Sequence, residues 1–313
     1  MAEGKSPDVL GTSEKPALQA HEGGEGKIAT LKIWRGDKDG GNFESYDVET
    51  YAGMVVLDAI HEAQAKQAPD LAVRWNCKAG RCGSCSAEVN GKPKLMCMTR
   101  MNSFPEGEPI VVTPLRAFPI IKDLVTDVSW NYEVAKKIPP FKPRPRDADG
   151  HWRMQQYDVD RIQEFRKCIE CFLCQDVCHV IRDHDKKESF AGPRFLIQLA
   201  GLDMHPLDTL DRRDLLKNEF GIGLCNITRC CTEVCPEHIN ITDNGIIPMK
   251  ERVADDYFDP VRWLLRKFGA GGEKKKRASL PVLQYKGGSG GEFKDEMTVV
   301  TTKKKATGEG AED

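Results

Sequence analysis

Twelve cysteines fall in three groups of four, at 77, 82, 85 and 97, at 168, 171, 174 and 178, and at 225, 230, 231 and 235. Thiols at this density either pair with one another or ligate metal. Tight groups separated by long gaps are not how a disulfide scaffold spaces its cysteines. The opening residues, Met1-Ala2-Glu3-Gly4-Lys5-Ser6-Pro7-Asp8, carry no apolar core of the kind a secretory signal needs, and they are acidic and arginine-poor, unlike a mitochondrial transit peptide. A reducing compartment is therefore expected, with the thiols available as ligands. Soft thiolates in such groups hold inorganic iron and sulfide, and the chemistry that follows is one-electron transfer.

The first group reads Cys77-x4-Cys82-x2-Cys85-x11-Cys97. That is the plant-type ferredoxin spacing for a [2Fe–2S] cluster, with three thiolates from one loop and a fourth from a distance. The loop must wrap closely, and Lys78-Ala79-Gly80-Arg81 with Gly83-Ser84 supplies small residues where a side chain would collide. Zinc, the rival occupant, prefers two short-spaced cysteine pairs. The second group, Cys168-x2-Cys171-x2-Cys174-x3-Cys178, is the bacterial ferredoxin run, whose last cysteine ligates the other cluster of a pair. The third holds a depleted copy, Cys225-x2-Thr228-x2-Cys231-x3-Cys235-Pro236. Cross-ligation assigns Cys168, Cys171, Cys174 and Cys235 to a [4Fe–4S] cluster. Cys178, Cys225 and Cys231 are left with a hydroxyl at the fourth corner, where one iron is easily lost and a [3Fe–4S] cluster results. Cys230 is the spare: either a fourth ligand at that corner or a partly buried free thiol, the second favoured because its neighbour Cys231 is committed and adjacent side chains point apart.

Other features bound what surrounds these sites. Glycine and proline total 46 of 313 residues, too few for a low-complexity chain, and 40% apolar residues suffice for a core. A net charge of −2 argues against a nucleic-acid surface. No apolar run approaches the ~20 residues of a membrane-spanning helix. Residues 1–27 read as a disordered tail. Alternation over Ile28–Arg35 predicts a strand with a hairpin partner over Glu44–Tyr51, and helical spacing predicts a helix over 54–66. Asn90-Gly91 predicts a second hairpin, which folds Cys97 back onto its loop, and Ile110-Val111-Val112 predicts a further strand. These make a [2Fe–2S] ferredoxin-like domain over 28–138. A Pro-rich linker follows over 139–150, then a helical domain over 151–258 with the other two clusters, then a C-terminal helix and low-complexity tail over 259–313. The expected fold class is α+β, an N-terminal β-grasp plant-type [2Fe–2S] ferredoxin domain followed by an all-α bacterial-ferredoxin-like domain.

This order of domains resembles the iron–sulfur subunit of succinate dehydrogenase and fumarate reductase. The stretches that carry the resemblance are Arg74–Cys85, Asn90-Gly91-Lys92-Pro93, Lys122-Asp123-Leu124-Val125 and Lys167-Cys168-Ile169-Glu170-Cys171, and it covers roughly 28–258. It implies a subunit that relays electrons between the FAD of a flavoprotein subunit and quinone at a membrane-anchor cytochrome b subunit, with FAD and haem only on those partners. It implies residence at the cytoplasmic face of the bacterial inner membrane, peripheral through the anchor. The family's better-known members have proline after the cysteine matching Cys178 and tryptophans beyond it; here the run is Cys178-His179-Val180-Ile181-Arg182-Asp183-His184. Asn226 replaces the family's histidine after Cys225. These departures, the Cys230-Cys231 doublet and Phe190–Phe195 are similar to an actinobacterial-type, menaquinone-linked branch rather than a ubiquinone-linked one. His179 and Asn226 then mark the quinone vicinity.

His179 and His184 are either quinone or proton contacts or ordinary helix-surface histidines. Asp259–Phe268 reads as a short helix opened by Pro260, suited to a membrane interface or to packing on the same chain. Lys274-Lys275-Lys276-Arg277 reads as solvated tail or a contact to anionic lipid. No carboxylate pair, Ser/His arrangement or phosphate-binding loop suggests that this chain works on the dicarboxylate itself. Two rival functions remain: a fumarate reductase subunit with a non-quinone donor, and a stand-alone ferredoxin-like carrier.

Overall fold

The structure, a computed structural model, describes residues 27–257 and 260–268. Of the expected tails, 1–26 and 269–313, with Lys274–Arg277, lie outside the described residues, whereas Lys27, read as the end of the N-terminal tail, opens the first strand. Strands β1 (Lys27–Asp37) and β2 (Gly40–Thr50) form a hairpin in full antiparallel register. Leu31 and Ile33 are buried while Lys32 between them is exposed, as the alternation predicts. Helix α1 (Val56–Lys66) starts two residues later than the spacing predicts, because Asp58 accepts the Val55 amide and caps it there. Its stripe Val56, Leu57, Ala59, Ile60 and Ala63 is buried.

Strands β3 (Ser86–Val89) and β4 (Lys92–Leu95) turn on Asn90-Gly91, both with positive φ (48° and 72°), the geometry that suits a twisted two-residue hairpin. The Asn90 side chain also accepts the Val111 amide at 2.7 Å, which fixes the turn to strand β5 (Ile110–Thr113). The five strands form one mixed sheet in the order β2-β1-β5-β3-β4, with β1 and β5 parallel. A two-stranded ribbon, β6 (Ile120–Lys122) and β7 (Val125–Thr126), and helix α2 (Ser129–Lys136) complete this half.

The other half consists of short helices: α3 (Gln156–Gln163), α4 (Leu173–Asp176), α5 (His179–Arg182), α6 (Pro193–Asp203), α7 (Cys230–Glu233) and α8 (Ile247–Tyr257), with 3₁₀ and π turns between several of them. Among the described residues no strand lies beyond β7. The α+β description therefore holds. Residues 139–150 are strapped to the helical half: Pro143 bridges Asp208, the Arg144 amide donates to the Leu207 carbonyl, and Arg212 donates to the carbonyls of Pro139 and Pro140. Helix α9 (Pro260–Lys267) opens on proline as expected, and Val261, Trp263, Leu264, Leu265 and the following Phe268 are exposed. None of the helices among the described residues is long and apolar enough to cross a membrane.

Strand β3 joins the two halves. All four of its residues are buried, including Ser86 and Glu88, because the helical half covers the face that would otherwise meet water. The Glu88 carboxylate receives Arg116 (2.7 and 2.9 Å) and lies beside Asp176 of α4. Burial, with the Glu88 carboxylate close by, pushes the Asp176 carboxyl up to about 7, although the Ala117 amide donating to its Oδ1 acts the other way.

Candidate metal centres

Cys77, Cys82 and Cys85 lie on the loop between α1 and β3, and Cys97 follows β4. The loop curls through left-handed backbone at Lys78, Gly80 and Gly83. This curl turns amides inward. Ala79 and Arg81 both donate to Cys77 Sγ at 3.3 Å, and the Cys77 amide donates to Cys82 Sγ at 3.5 Å. Such donors favour the thiolate over the thiol. Burial alone would push Cys82 up, but hydrogen bonds from Ser84 and Cys77 outweigh it and bring the thiol down to about 7. Cys85, deeper in the fold, is pushed by burial up to about 12.

A second group gathers around a small cavity. Cys168, Cys171 and Cys174 line it together with Cys235, which arrives from the third sequence group, and Ile197, Ile239 and Ile241 close it with apolar surface. Burial pushes Cys171 up to about 12 and raises Cys174 and Cys235 as well, the last opposed by the Ile239 amide at 3.5 Å from its Sγ. Burial of Cys171, Cys174 and Cys235 disfavours their thiolates, so holding them ionised calls for compensating positive charge beyond that of Arg194 on the same wall, which iron would supply. They bound a cavity instead of meeting at a point; among the described residues no three His, Cys, Asp or Glu side chains are placed to hold a single ion. The shape and donor set suit a body of several irons.

Cys178, at the start of α5, forms a third group with Cys225 and Cys231. Burial raises Cys178 and pushes Cys231 up to about 11, with Cys225 a common neighbour of both. The two runs share one backbone path. Glu170 and Phe172 have φ of 56° and 62°; Ile227 and Arg229, at the same offsets from Cys225, have 62° and 65°. The path aligns Thr228 with Cys171, Cys231 with Cys174, and α7 with α4. The rim carries both sequence-predicted residues of the quinone vicinity: His179 Nε2 is 3.2 Å from Thr228 Oγ1, and Asn226 is exposed beside Leu224 and Ile227.

The groups are physically linked. Gly83 lies so close to Cys171 that an added Cβ would stand 2.6 Å from the Cys171 Cα. Ser86 Oγ is 2.8 Å from the Gly83 carbonyl and 2.9 Å from that of Cys171. Arg81 of the first loop reaches Glu237, next to the second group, at 3.8 Å. Cys174 interacts electrostatically with Cys171 and Cys168 of its own group and with Cys231 of the third.

Several residues at these centres escape sequence reasoning. Arg194 lines the second cavity and pairs with Glu170 at 2.5 Å; Lys250 donates to the Cys225 carbonyl at 2.6 Å; Thr242 Oγ1 is 3.5 Å from Cys231 Sγ. No signal in the local sequence marks these roles beforehand.

Comparison with known proteins covers both halves. Residues 30–133 match the family described as a 2Fe-2S iron-sulfur cluster binding domain, and residues 164–239 the family described as a 4Fe-4S dicluster domain. The chain is 32% identical over 206 residues to a fumarate reductase iron-sulfur subunit of Mycobacterium tuberculosis, covering 63% of this chain and 81% of that protein. It is 30% identical over 197 residues to a succinate dehydrogenase iron-sulfur subunit of Coxiella burnetii, covering 62% and 82%. A chain in the Mycobacterium smegmatis Sdh1 complex in the apo form is 65% identical, with a TM-score of 0.73, covering 75% of this chain and 99% of that one.

Proposed function

The chain belongs to the family of iron–sulfur subunits of succinate dehydrogenase and fumarate reductase, and on that premise we propose that eleven of its cysteines hold three clusters in a row. It is the electron-carrying subunit of an oxidoreductase complex. The ligand sets are Cys77, Cys82, Cys85 and Cys97 for [2Fe–2S]; Cys168, Cys171, Cys174 and Cys235 for [4Fe–4S]; and Cys178, Cys225 and Cys231 for [3Fe–4S]. Bound clusters supply one-electron transfer, and the chain contributes their placement. The inward amides of Ala79 and Arg81 hold charge at Cys77, the apolar cavity keeps water from the second site, and the Gly83–Cys171 contact keeps the first two sites adjacent.

The cavity that unites Cys235 with Cys168, Cys171 and Cys174 carries this reading, since only cross-ligation between the two runs requires it. In the complex, a flavoprotein subunit lies on the [2Fe–2S] side and a membrane anchor on the [3Fe–4S] side. The anchor is a cytochrome b at the cytoplasmic face of the bacterial inner membrane. Its quinone docks near His179 and Asn226 and is menaquinone rather than ubiquinone, a reading supported by the absence of Trp from the residues just after Cys178. The N-terminal half is a β-grasp domain over 28–138, joined through the strapped segment 139–150 to the two-cluster domain over 151–258.

Electron paramagnetic resonance of the purified complex at graded potentials tests the assignment. Three centres are expected: a three-iron signal when oxidised, and [2Fe–2S] and [4Fe–4S] signals on reduction. Two centres only, or zinc on metal analysis, would refute it.

A further inference from the structure

Resting on that reading of the third site, we propose that Cys230 is an exchangeable fourth ligand there, through which the site takes up a ferrous ion. The shared backbone path of the two runs puts Thr228 where Cys171 stands, so the corner without a cysteine lies at the Thr228 hydroxyl. Leu173, which occupies the place of Cys230 in the first copy, is buried in the core. Cys230 is only partly buried, and its Sγ sits 3.3 Å from Thr228 Oγ1 and 3.8 Å from the Thr228 carbonyl. A thiol thus stands at the corner that the threonine leaves weak.

This is the fourth thiol of a group, and it is the only one of the four whose Sγ meets Thr228; Cys231 turns instead toward Thr242, and its electrostatic neighbours are Cys225 and Cys178. Cys178 in turn interacts with Cys225 and Cys230. The adjacent side chains of Cys230 and Cys231 do point apart, as the sequence suggests, but around one site. Asn226, Ile227, Thr228 and Arg229 are all exposed in the chain by itself, so a hydrated ferrous ion can reach the corner from solvent before the anchor covers this face. Thiolate is a far better ligand for iron than a threonine hydroxyl.

The step balances. One electron, arriving along the row from the dicarboxylate, takes [3Fe–4S]⁺ to [3Fe–4S]⁰. A ferrous ion joins to give [4Fe–4S]²⁺. The Cys230 S–H bond breaks, its proton passes to water, and an Sγ–Fe bond forms. Passage of one electron onward to quinone and release of the ferrous ion, with reprotonation of Cys230 from water, restores the starting state. The subunit would thereby alternate between a three-iron and a four-iron third centre according to ferrous iron supply and reduction.

The test uses the full chain carrying its clusters, reduced with dithionite under argon, treated with ⁵⁷Fe(II), cleared of free metal and reoxidised mildly. In the wild type the three-iron resonance is expected to be lost and Mössbauer spectra to show the label within a four-iron cluster. Cys230→Ala should keep the resonance and exclude the label. Iodoacetamide with peptide mass analysis is a second readout that needs no variant: Cys230 should be alkylated before iron loading and protected after it. A wild-type resonance that survives loading, equal conversion in Cys230→Ala, or unchanged alkylation overturns the inference. A chain with no three-iron resonance at the outset overturns instead the reading on which it rests.

Discussion

Gly83 is the residue whose replacement most directly probes how the first two centres are held together. Its φ of +68° is left-handed, and an added Cβ would stand 2.6 Å from Cys171 Cα and 2.9 Å from Cys171 N and Cβ. A left-handed L-residue costs about 1–2 kcal/mol. Overpacking a closed contact adds about 1–3 kcal/mol, so Gly83→Ala should destabilise the chain by about 2–5 kcal/mol. For a domain of roughly 100 residues each kcal/mol lowers Tm by about 4–8 °C. Gly80→Ala is the matched control. Gly80 has nearly the same φ (+66°), but its added Cβ would meet only the flexible Met98 side chain, at 2.9 Å. Calorimetry on cluster-loaded chains should therefore place Gly83→Ala well below Gly80→Ala. Electron paramagnetic resonance should show altered [2Fe–2S] and [4Fe–4S] line shapes together in Gly83→Ala alone, because the backbone that must yield belongs to Cys171, the proposed ligand of the second centre. Equal melting temperatures for the two variants would refute the argument that Gly83 is required by a backbone collision.

Other perturbations have equally definite outcomes. Ser86→Ala removes a buried hydroxyl that bonds both the Gly83 and the Cys171 carbonyls; a loss of about 1–3 kcal/mol is expected in urea titration. Arg212→Ala breaks an ion pair with Asp208 at 2.6 Å in which both side chains are buried, and it also releases the Pro139 and Pro140 carbonyls. A loss of about 3–5 kcal/mol follows, with limited proteolysis now cutting within 139–150. His61 packs against the Trp75 ring, and burial, then the nearby Lys78 charge, hold its pKa below the ordinary value. The folded chain therefore binds fewer protons than the unfolded one below about pH 6.5, and stability falls as pH drops through that region. His61→Gln should flatten that acid-side slope in melting curves between about pH 5 and 7, and an unchanged slope would remove His61 as its source.

The loop that gathers the first cysteine group was legible because its turns are local. Gly80, Gly83 and the Asn90-Gly91 turn name their own conformations, and the hairpin between Ser86 and Leu95 returns Cys97 to the loop without help from the rest of the chain. The grouping of Cys235 with Cys168, Cys171 and Cys174 was also visible in one dimension, since the interleaving of two runs leaves few other ways to count to four. The internal face between the halves was not legible. Nothing in Ser86-Ala87-Glu88-Val89 announces burial of both faces; the helical half covers the outer one, so its polar groups meet Cys171, Arg116 and Asp176. Helix lengths in the second half were equally hidden. Glu170, Phe172, Ile227 and Arg229 are not residues whose intrinsic preferences call for left-handed backbone, and for β-branched Ile227 that conformation is strained. Two runs of different sequence pay this conformational cost at the same two offsets, which fits the task proposed for both, wrapping a chain around a metal body. The same offsets put Cys230 opposite a core leucine, so its presence at the rim is not dictated by packing, and the chemistry of the neighbouring site is the better place to look for its role.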